Sequence, residues 1–425
     1  MTLVAHHELD VDHLVADDRV HRLVYLDPAV FEAEMARIYA RTWVYVGHES
    51  EVATPGDFKT TTIGRQPVVL VRQPDGTLAV LFNRCSHRAS TVCLERRGSA
   101  HHFRCPYHGW TFRLDGSLIG ATYGDGYDDG DLDGPEFALG RVPRVDSYRG
   151  FVFASLAAEG PSLRAHLGNA ADYLDLFCDL SPTGRLVVGQ PGEHHYGYEG
   201  NWKLQSENGV DGYHPNFVHG AYLDGVMPDG RGMRMFAPTS PGKAADLGNG
   251  HALLDTRPVL ADGHEQQARA TPAGRAHLEA LSDRLGEARA REVVRTNGGL
   301  GFNLLVFPNL LLIQVQIRVV QPRRVDWTEV ELYPTLLDGA SEAMNARRLR
   351  VHESFYGPSG GGAPGDLAMF RRVQEGLQVE SMEWLWLHRG RGRTTSGPGG
   401  ERVGHISDEH PQRGFYRRWR AEMAR

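Results

Sequence analysis

The sequence predicts an α+β protein in two parts. A small all-β domain spans 44–160, and a larger domain over 161–425 is built on a central antiparallel sheet surrounded by helices. Three observations carry this. Short strand-like runs with turn residues between them begin at Trp43. Two paired Cys/His motifs sit inside that region. From Leu300 to Pro334 long strands return, with helical periods before and after them.

Residues 1–26 show no clear period. At Asp27-Pro28 a helix starts, because Asp suits the N-cap and Pro the first helical position. Phe31, Met35 and Ile38 give it one apolar stripe to about Arg41, so 1–43 reads as a helical segment packing on the larger domain. Val44-Tyr45-Val46, Phe58 to Ile63, Val68 to Arg72 and Leu78 to Phe82 read as strands. Pro55-Gly56, Ile63-Gly64 and Pro74-Asp75-Gly76 turn the chain between them. Val152-Phe153-Ala154 is the last strand of this domain.

Inside the domain, Cys85-Ser86-His87 and Cys105-Pro106-Tyr107-His108 form C-x-H and C-x-x-H. Two metal types fit. A structural zinc site would place all four ligands on one ion. A Rieske [2Fe–2S] centre would place Cys85 and Cys105 on one iron and His87 and His108 on the other. Each half carries one Cys and one His, as two loops gripping one cluster require. Gly109 permits a tight turn after His108, and Trp110 and Tyr107 are placed to shield the group. His101 and His102 fall outside the pattern and read as surface residues, and Cys93 as a free thiol.

In the larger domain, 166–178 is helical with Cys178 in packing, and Leu186 to Gly189 is strand-like. His194 and His195 are adjacent on a strand and point to opposite faces, so they read as structural or surface groups. Asn201-Trp202-Lys203 leads into Glu207–His219, ENGVDGYHPNFVH, which reads as a helix ending near Pro215. On a helix Asp211 and His214 share a face. Pro215 breaks the regular geometry and lets His219 converge on His214. Two imidazoles and one distant carboxylate would make a facial triad for non-haem Fe(II). The alternative is ordinary helix polarity.

After His219, residues 220–271 are rich in Gly and Pro and read as a long irregular segment, a lid or binding loop or else disordered. Residues 273–294 are helical. Ile313, Val315, Ile317 and Val319 alternate with Gln314, Gln316 and Arg318, the pattern of a strand with one buried face. Arg318 reads first as half of a structural ion pair and second as a partner for a substrate carboxylate. GPSGGGAPG over 357–365 is a loop, and Asp366 opens a helix running to about His388, where it suits the N-cap. Residues 389–400 form another loop, and 415–423 a short amphipathic end.

Composition removes other classes. The 425-residue chain carries a formal charge of −7 and 41% apolar residues, so no basic excess points to nucleic acid or a membrane surface. Lys occurs only at 59, 203 and 243, and Arg supplies the remaining positive charge. Four Cys do not make a disulfide scaffold, MTLVAHHELDVDH lacks the layout of a secretory signal, and Leu304 to Ile317 is too short and polar to span a bilayer. The expectation is a cytoplasmic protein.

The segments NRCSHR and CPYHGW, followed by NWKLQSENGVDGYHPNFVH, resemble the α subunit of Rieske non-haem iron aromatic-ring-hydroxylating oxygenases. The wording is closest to the branch acting on benzoate, anthranilate and salicylate. The resemblance covers nearly the whole chain. It implies an all-β Rieske domain and a catalytic domain of the helix-grip, START-like type. It implies a [2Fe–2S] cluster on Cys85, His87, Cys105 and His108, and a mononuclear Fe(II) on His214, His219 and a carboxylate. In the family that carboxylate belongs to a D-D-x-x-x-x-x-R-x-Q-like segment. Here Gly365-Asp366 is followed by Phe370, Arg372 and Gln374, so Asp366 is the matching acid and Glu375 the fallback. The resemblance gives Asp211 a bridging role, bonded to His214 and to a cluster histidine, His108, across a subunit boundary. It implies an α3 or α3β3 assembly that takes NAD(P)H electrons through a separate reductase or ferredoxin.

The implied reaction is O2-dependent hydroxylation of an aromatic ring, with an aromatic carboxylic acid as substrate. The alternatives are monooxygenation or O- or N-demethylation by the same centres, an electron-transfer Rieske protein, and a zinc-stabilised binding protein. Gly209, Val210, Phe217, Val218, Tyr222, Phe302, Asn309 and Leu311 are the expected pocket walls.

Overall fold

The computed structural model describes residues 11–425 except 190, 227–230, 260, 298–300 and 358. Most of the N-terminal stretch read for a secretory signal lies outside the described residues. The chain divides into two compact units, 39–163 and a second that joins 1–38 to 164–425.

The smaller unit is all β apart from short 3-10 turns. Leu78–Phe82, Gln66–Arg72, Asp57–Ile63 and Arg97–Ser99 form one antiparallel sheet in that order. Arg144–Tyr148, Phe151–Ser155 and Val44–His48 form a second, and Leu118–Gly120, Thr111–Phe112 and Phe103–Arg104 a third. Val69, Val71, Leu81, Phe103, Trp110 and Phe112 share one buried cluster with Cys85 and Cys105, so the two thiols are part of the core.

The larger unit is organised on ten antiparallel strands. Their order is Leu186–Val188, Trp327–Leu337, Gln316–Arg324, Leu310–Ile313, Phe302–Val306, His251–Asp255, Lys243–Gly248, Arg402–His405 and Thr395–Ser396, with His194–Glu199 also on Trp327–Leu337. The α+β class read from the sequence holds. Three local readings do not. The alternating run 313–319 is not one strand: it folds back at Gln314 (φ 57°) and Val315, so Ile313 pairs with Gln316. Its polar members are not on a wet face either, since Gln316 and Arg318 are buried. Within 220–271, read as irregular, Lys243–Gly248 and His251–Asp255 form a hairpin in the main sheet. Asn249 and Gly250 both have positive φ, as a type I′ turn requires. The helix after 357–365 begins at Ala363 rather than Asp366 and ends at Gly376, well short of His388.

The N-terminal helix Pro28–Glu34 is capped as the sequence indicates, with Asp27 Oδ1 accepting from Ala29 N at 2.7 Å. Its last residue, Glu34, is fully buried. Lys203 Nζ lies 2.6 Å away, and the indole nitrogens of Trp202 and Trp419 donate to the same carboxylate at 2.8 and 2.7 Å. Burial pushes the Lys203 ammonium below its usual range, and the Glu34 charge opposes this. One carboxylate thus ties the N-terminal helix, the helix Trp202–Asn208 and the C-terminal helix His410–Met423 together. Removing one partner of such a pair leaves a bare buried charge. Lys203→Met is expected to destabilise the protein by about 3–5 kcal/mol, read from chemical denaturation. An unchanged midpoint would contradict this account.

Candidate metal centres and active site

The two Cys/His loops have the same backbone design. Cys85 N donates to Ser90 O and Ala89 N to Cys85 O; Cys105 N donates to Trp110 O and Gly109 N to Cys105 O. The residue four after each cysteine is left-handed, Ala89 at φ 60° and Gly109 at φ 72°. The twin position holds an alanine at a similar φ, so it is the close approach at Gly109, where a Cβ would meet Thr122 Oγ1 at 2.2 Å, that calls for glycine. The loops bring the ring centroids of His87 and His108 to 4.7 Å. Cys85 and Cys105 are buried, and burial raises the Cys85 thiol, with its neighbour Cys105 adding to the shift. Nδ1 of His87 is enclosed without a hydrogen-bond partner. Two thiols, two imidazoles and an orphaned ring nitrogen are the donor set a Rieske cluster needs. Trp110 stacks on His87 at 4.9 Å and is buried; Tyr107 stacks on His108 but stays 60% exposed, so only Trp110 shields the site. His101 and His102 are exposed, and Cys93 is a buried free thiol whose pKa burial pushes up to about 12.

In the larger unit the second donor set forms where a helix fails. Trp202–Asn208 ends at Asn208, not near Pro215, so Asp211 and His214 do not share a helix face. Two glycines pack closely just past its end. A Cβ on Gly209 would sit 2.7 Å from Leu311, and one on Gly212 would sit 2.3 Å from Ile406 O. The chain turns through Asp211, whose Oδ1 accepts from Tyr213 N, and resumes as the short helix Pro215–Val218 between His214 and His219. Asp366, in the first turn of Ala363–Gly376, comes in from the other side.

His219 Nε2 lies 3.1 Å and His214 Nε2 3.6 Å from Asp366 Oδ1. One ligand atom from each of the three residues falls within 4.8 Å of the others. Two inward imidazole nitrogens and one buried carboxylate oxygen fit the facial triad of a non-haem iron. Burial alone would push the Asp366 pKa up, but His219 and His214 outweigh it and hold the carboxylate ionised. His214 is raised, because Asp211 and then Asp366 overcome the effect of burial. Asp211 Oδ2 is 3.3 Å from His214 Nδ1, at ion-pair distance without hydrogen-bond alignment. Glu375, the fallback acid, pairs with Arg371 on the surface and is remote from this set.

Sequence reasoning missed Asn208. Its Nδ2 lies 3.3 Å from His214 Nε2 and 3.2 Å from Asp366 Oδ1, between two members of the triad. Nothing in the sequence marks it beyond its place just before Gly209.

The triad opens into a cavity of about 640 Å3. Of the expected walls, Gly209 and Tyr222 line it. Val210, Phe217, Val218, Phe302, Asn309 and Leu311 do not. Leu311 lies under Gly209, Phe302 turns to Tyr173 and Phe177 while its neighbour Asn303 faces the cavity, and Phe217 is 78% exposed. Val218 packs toward Gly365, and Val210 and Asn309 are buried away from the cavity. Apolar walls come instead from Leu223, Phe236, Leu254, Ile313, Val315 and Phe355. Burial, with Arg348 nearby, pushes His277, also on the wall, down to about 4, against the opposing effect of the Leu180 backbone.

Comparisons with known proteins match both parts of the chain. Residues 42–126 match the Rieske [2Fe–2S] domain, and 187–425 match the catalytic domain of ring-hydroxylating α subunits. The chain is 36% identical over 401 residues to the large subunit of 2-halobenzoate 1,2-dioxygenase of Burkholderia cepacia, covering 91% of this chain and 83% of that one. It is 35% identical over 399 residues to the anthranilate 1,2-dioxygenase large subunit of Acinetobacter baylyi, covering 89% and 82%. A naphthalene 1,2-dioxygenase structure with indole in its active site superposes with a TM-score of 0.83 at 26% identity, over 97% of this chain and 94% of that one. The chain therefore belongs to the ring-hydroxylating oxygenase α subunits, Rieske non-haem iron oxygenases. It is a terminal oxygenase that hydroxylates aromatic rings and carries a [2Fe–2S] cluster and a mononuclear iron. No helix among the described residues is long and apolar enough to cross a membrane.

The twin loops give a direct test of the cluster site. Gly109→Ala is expected to lose most of the cluster's visible absorbance and acid-labile sulfide, because a Cβ has no room. Ala89→Gly, which relaxes a left-handed alanine, is expected to keep both. Equal cluster content in the two variants would contradict the reading.

Proposed function

We propose that this chain hydroxylates the ring of an aromatic carboxylic acid. In this reading Cys85, His87, Cys105 and His108 hold the cluster, and His214, His219 and Asp366 hold the iron. The observation that carries it is the convergence of His214, His219 and Asp366 at the wall of a largely apolar cavity. When bound, the cluster stores one electron and the iron offers open positions for O2 beside the substrate. The chain's own residues do the rest. Phe355, 5.2 Å from His219 by ring centroids, limits water at the triad, and the cavity holds the arene against it. Asn208 fixes the separation of His214 and Asp366. The 2-halobenzoate and anthranilate relatives support an acid substrate.

Asp211 is the proposed bridge between the two centres. Its second oxygen faces His214, its side chain is about one-third exposed, and Tyr213 and Phe217 beside it are exposed aromatic groups. An exposed carboxylate on an iron ligand is suited to accept from His108 of a neighbouring copy, which orients both imidazoles and links the centres. The assembly is then a trimer, α3 or α3β3, with NAD(P)H electrons arriving through a separate reductase or ferredoxin and a cytoplasmic location. Relatives named as large subunits support a multi-subunit enzyme. Monooxygenation or demethylation is the second reading, since the same centres serve it.

The test is product analysis with reductase, NADH and a panel of aromatic acids, scoring O2 uptake against product. Hydroxylated acid with coupled uptake is expected. Asp211→Asn is expected to keep both metals and lose coupled hydroxylation. Wild-type turnover in that variant, or a monomer with full coupled activity, would overturn the bridging role.

A further inference from the structure

We infer that Arg318 receives the carboxylate of the substrate acid. This rests on the oxygenase reading above and names the group that selects its substrate. Arg318 lies on the strand Gln316–Arg324, is 3% exposed, and lines the cavity. Arginine stays protonated in proteins, so this is a permanent buried cation. Its position defeats the expectation of a structural ion pair: no carboxylate among the described residues lies within ion-pair distance of it. Its Nε has no acceptor. Its guanidinium lies over the ring of Tyr356, 5.0 Å from the ring centre, which stabilises the cation without neutralising it. A buried charge without a counter-ion is costly to fold, and a ligand anion is the partner that relieves it.

The charge around it points the same way. The acids lining the cavity are Asp211 and Asp366, and the arginines are Arg318, Arg347, Arg348 and Arg350. Arg348 is held by Thr335, whereas Arg347 and Arg350 are exposed at the rim. Arg318 lies within electrostatic reach of His214 and Asp366. A divalent iron would more than offset Asp366, so the loaded cavity is cationic and draws an anion inward. The planar guanidinium offers a two-pronged donor to a carboxylate, and the apolar walls take the ring. An arene without a negative group leaves Arg318 unpaired and is disfavoured for that reason.

The test compares benzoate with its neutral analogue benzamide on the holoenzyme and on Arg318→Gln. The dissociation constant is read by calorimetry on the oxidised protein, and KM in turnover. Arg318→Gln is expected to weaken benzoate by about 10- to 100-fold, as loss of charge-assisted hydrogen bonds does, and to change benzamide by under about 3-fold. Arg318→Lys, which keeps the charge, is expected to recover part of the benzoate affinity. Melting temperature and mononuclear iron content serve as folding controls. Equal loss for both ligands, or unchanged benzoate binding, would overturn the assignment while leaving an aromatic-acid oxygenase in place. A wild-type enzyme that oxidises only neutral arenes would overturn the substrate class and Arg318 together.

Discussion

Everything at the active site depends on a helix that cannot continue. Trp202–Asn208 is fixed at its start by the Lys203–Glu34 pair and by Trp202 Nε1 on the same carboxylate. At its end, Gly209 lies against Leu311 and Gly212 against Ile406 O, where no Cβ fits. The backbone turns here, and the short helix Pro215–Val218 that follows brings the His214 and His219 rings to 5.2 Å. A continuous helix would carry two histidines five apart to diverging faces. The interruption is thus what lets two of the three proposed ligands converge.

The third proposed ligand, Asp366, enters under a similar close contact. Gly365, just before Asp366, packs on Val218, where a Cβ would sit 3.0 Å away. That contact sets the first turn of Ala363–Gly376 against the short helix between the histidines. Asn208 spans the same gap from the other direction. The triad is therefore held by glycine packing and one amide before any metal binds, and the long cavity is left open on the remaining side. Arg318, on a strand of the central sheet rather than on a loop, gives that cavity a rigid charged wall.

The Cys/His loops and the two histidines around Pro215 were legible in the sequence from residue type and spacing, whereas Asp366 was reached only through the resemblance, since by itself it reads as an N-cap. Cys85, His87, Cys105 and His108 sit in two turns of identical design, and Pro215 between His214 and His219 signals a break. The location of the break was not legible, since glycines at 209 and 212 read as weak helix residues until Leu311 and Ile406 are packed on them. Phe302 was missed because on a strand its neighbour, Asn303, faces the cavity. The hairpin at Asn249-Gly250 did carry a local signal, overshadowed by the glycines and prolines around it. Arg318 could be suspected from alternation alone, but the missing counter-ion appears only in three dimensions.

The central claim is that one iron beyond the cluster is held by His214, His219 and Asp366. Iron and acid-labile sulfide counted per chain in wild type, Asp366→Ala and Glu375→Gln test it most directly. The account predicts that Asp366→Ala keeps the cluster's iron and sulfide and loses the additional iron, whereas Glu375→Gln keeps all of them. Full iron in Asp366→Ala, or loss of the additional iron in Glu375→Gln, would contradict it.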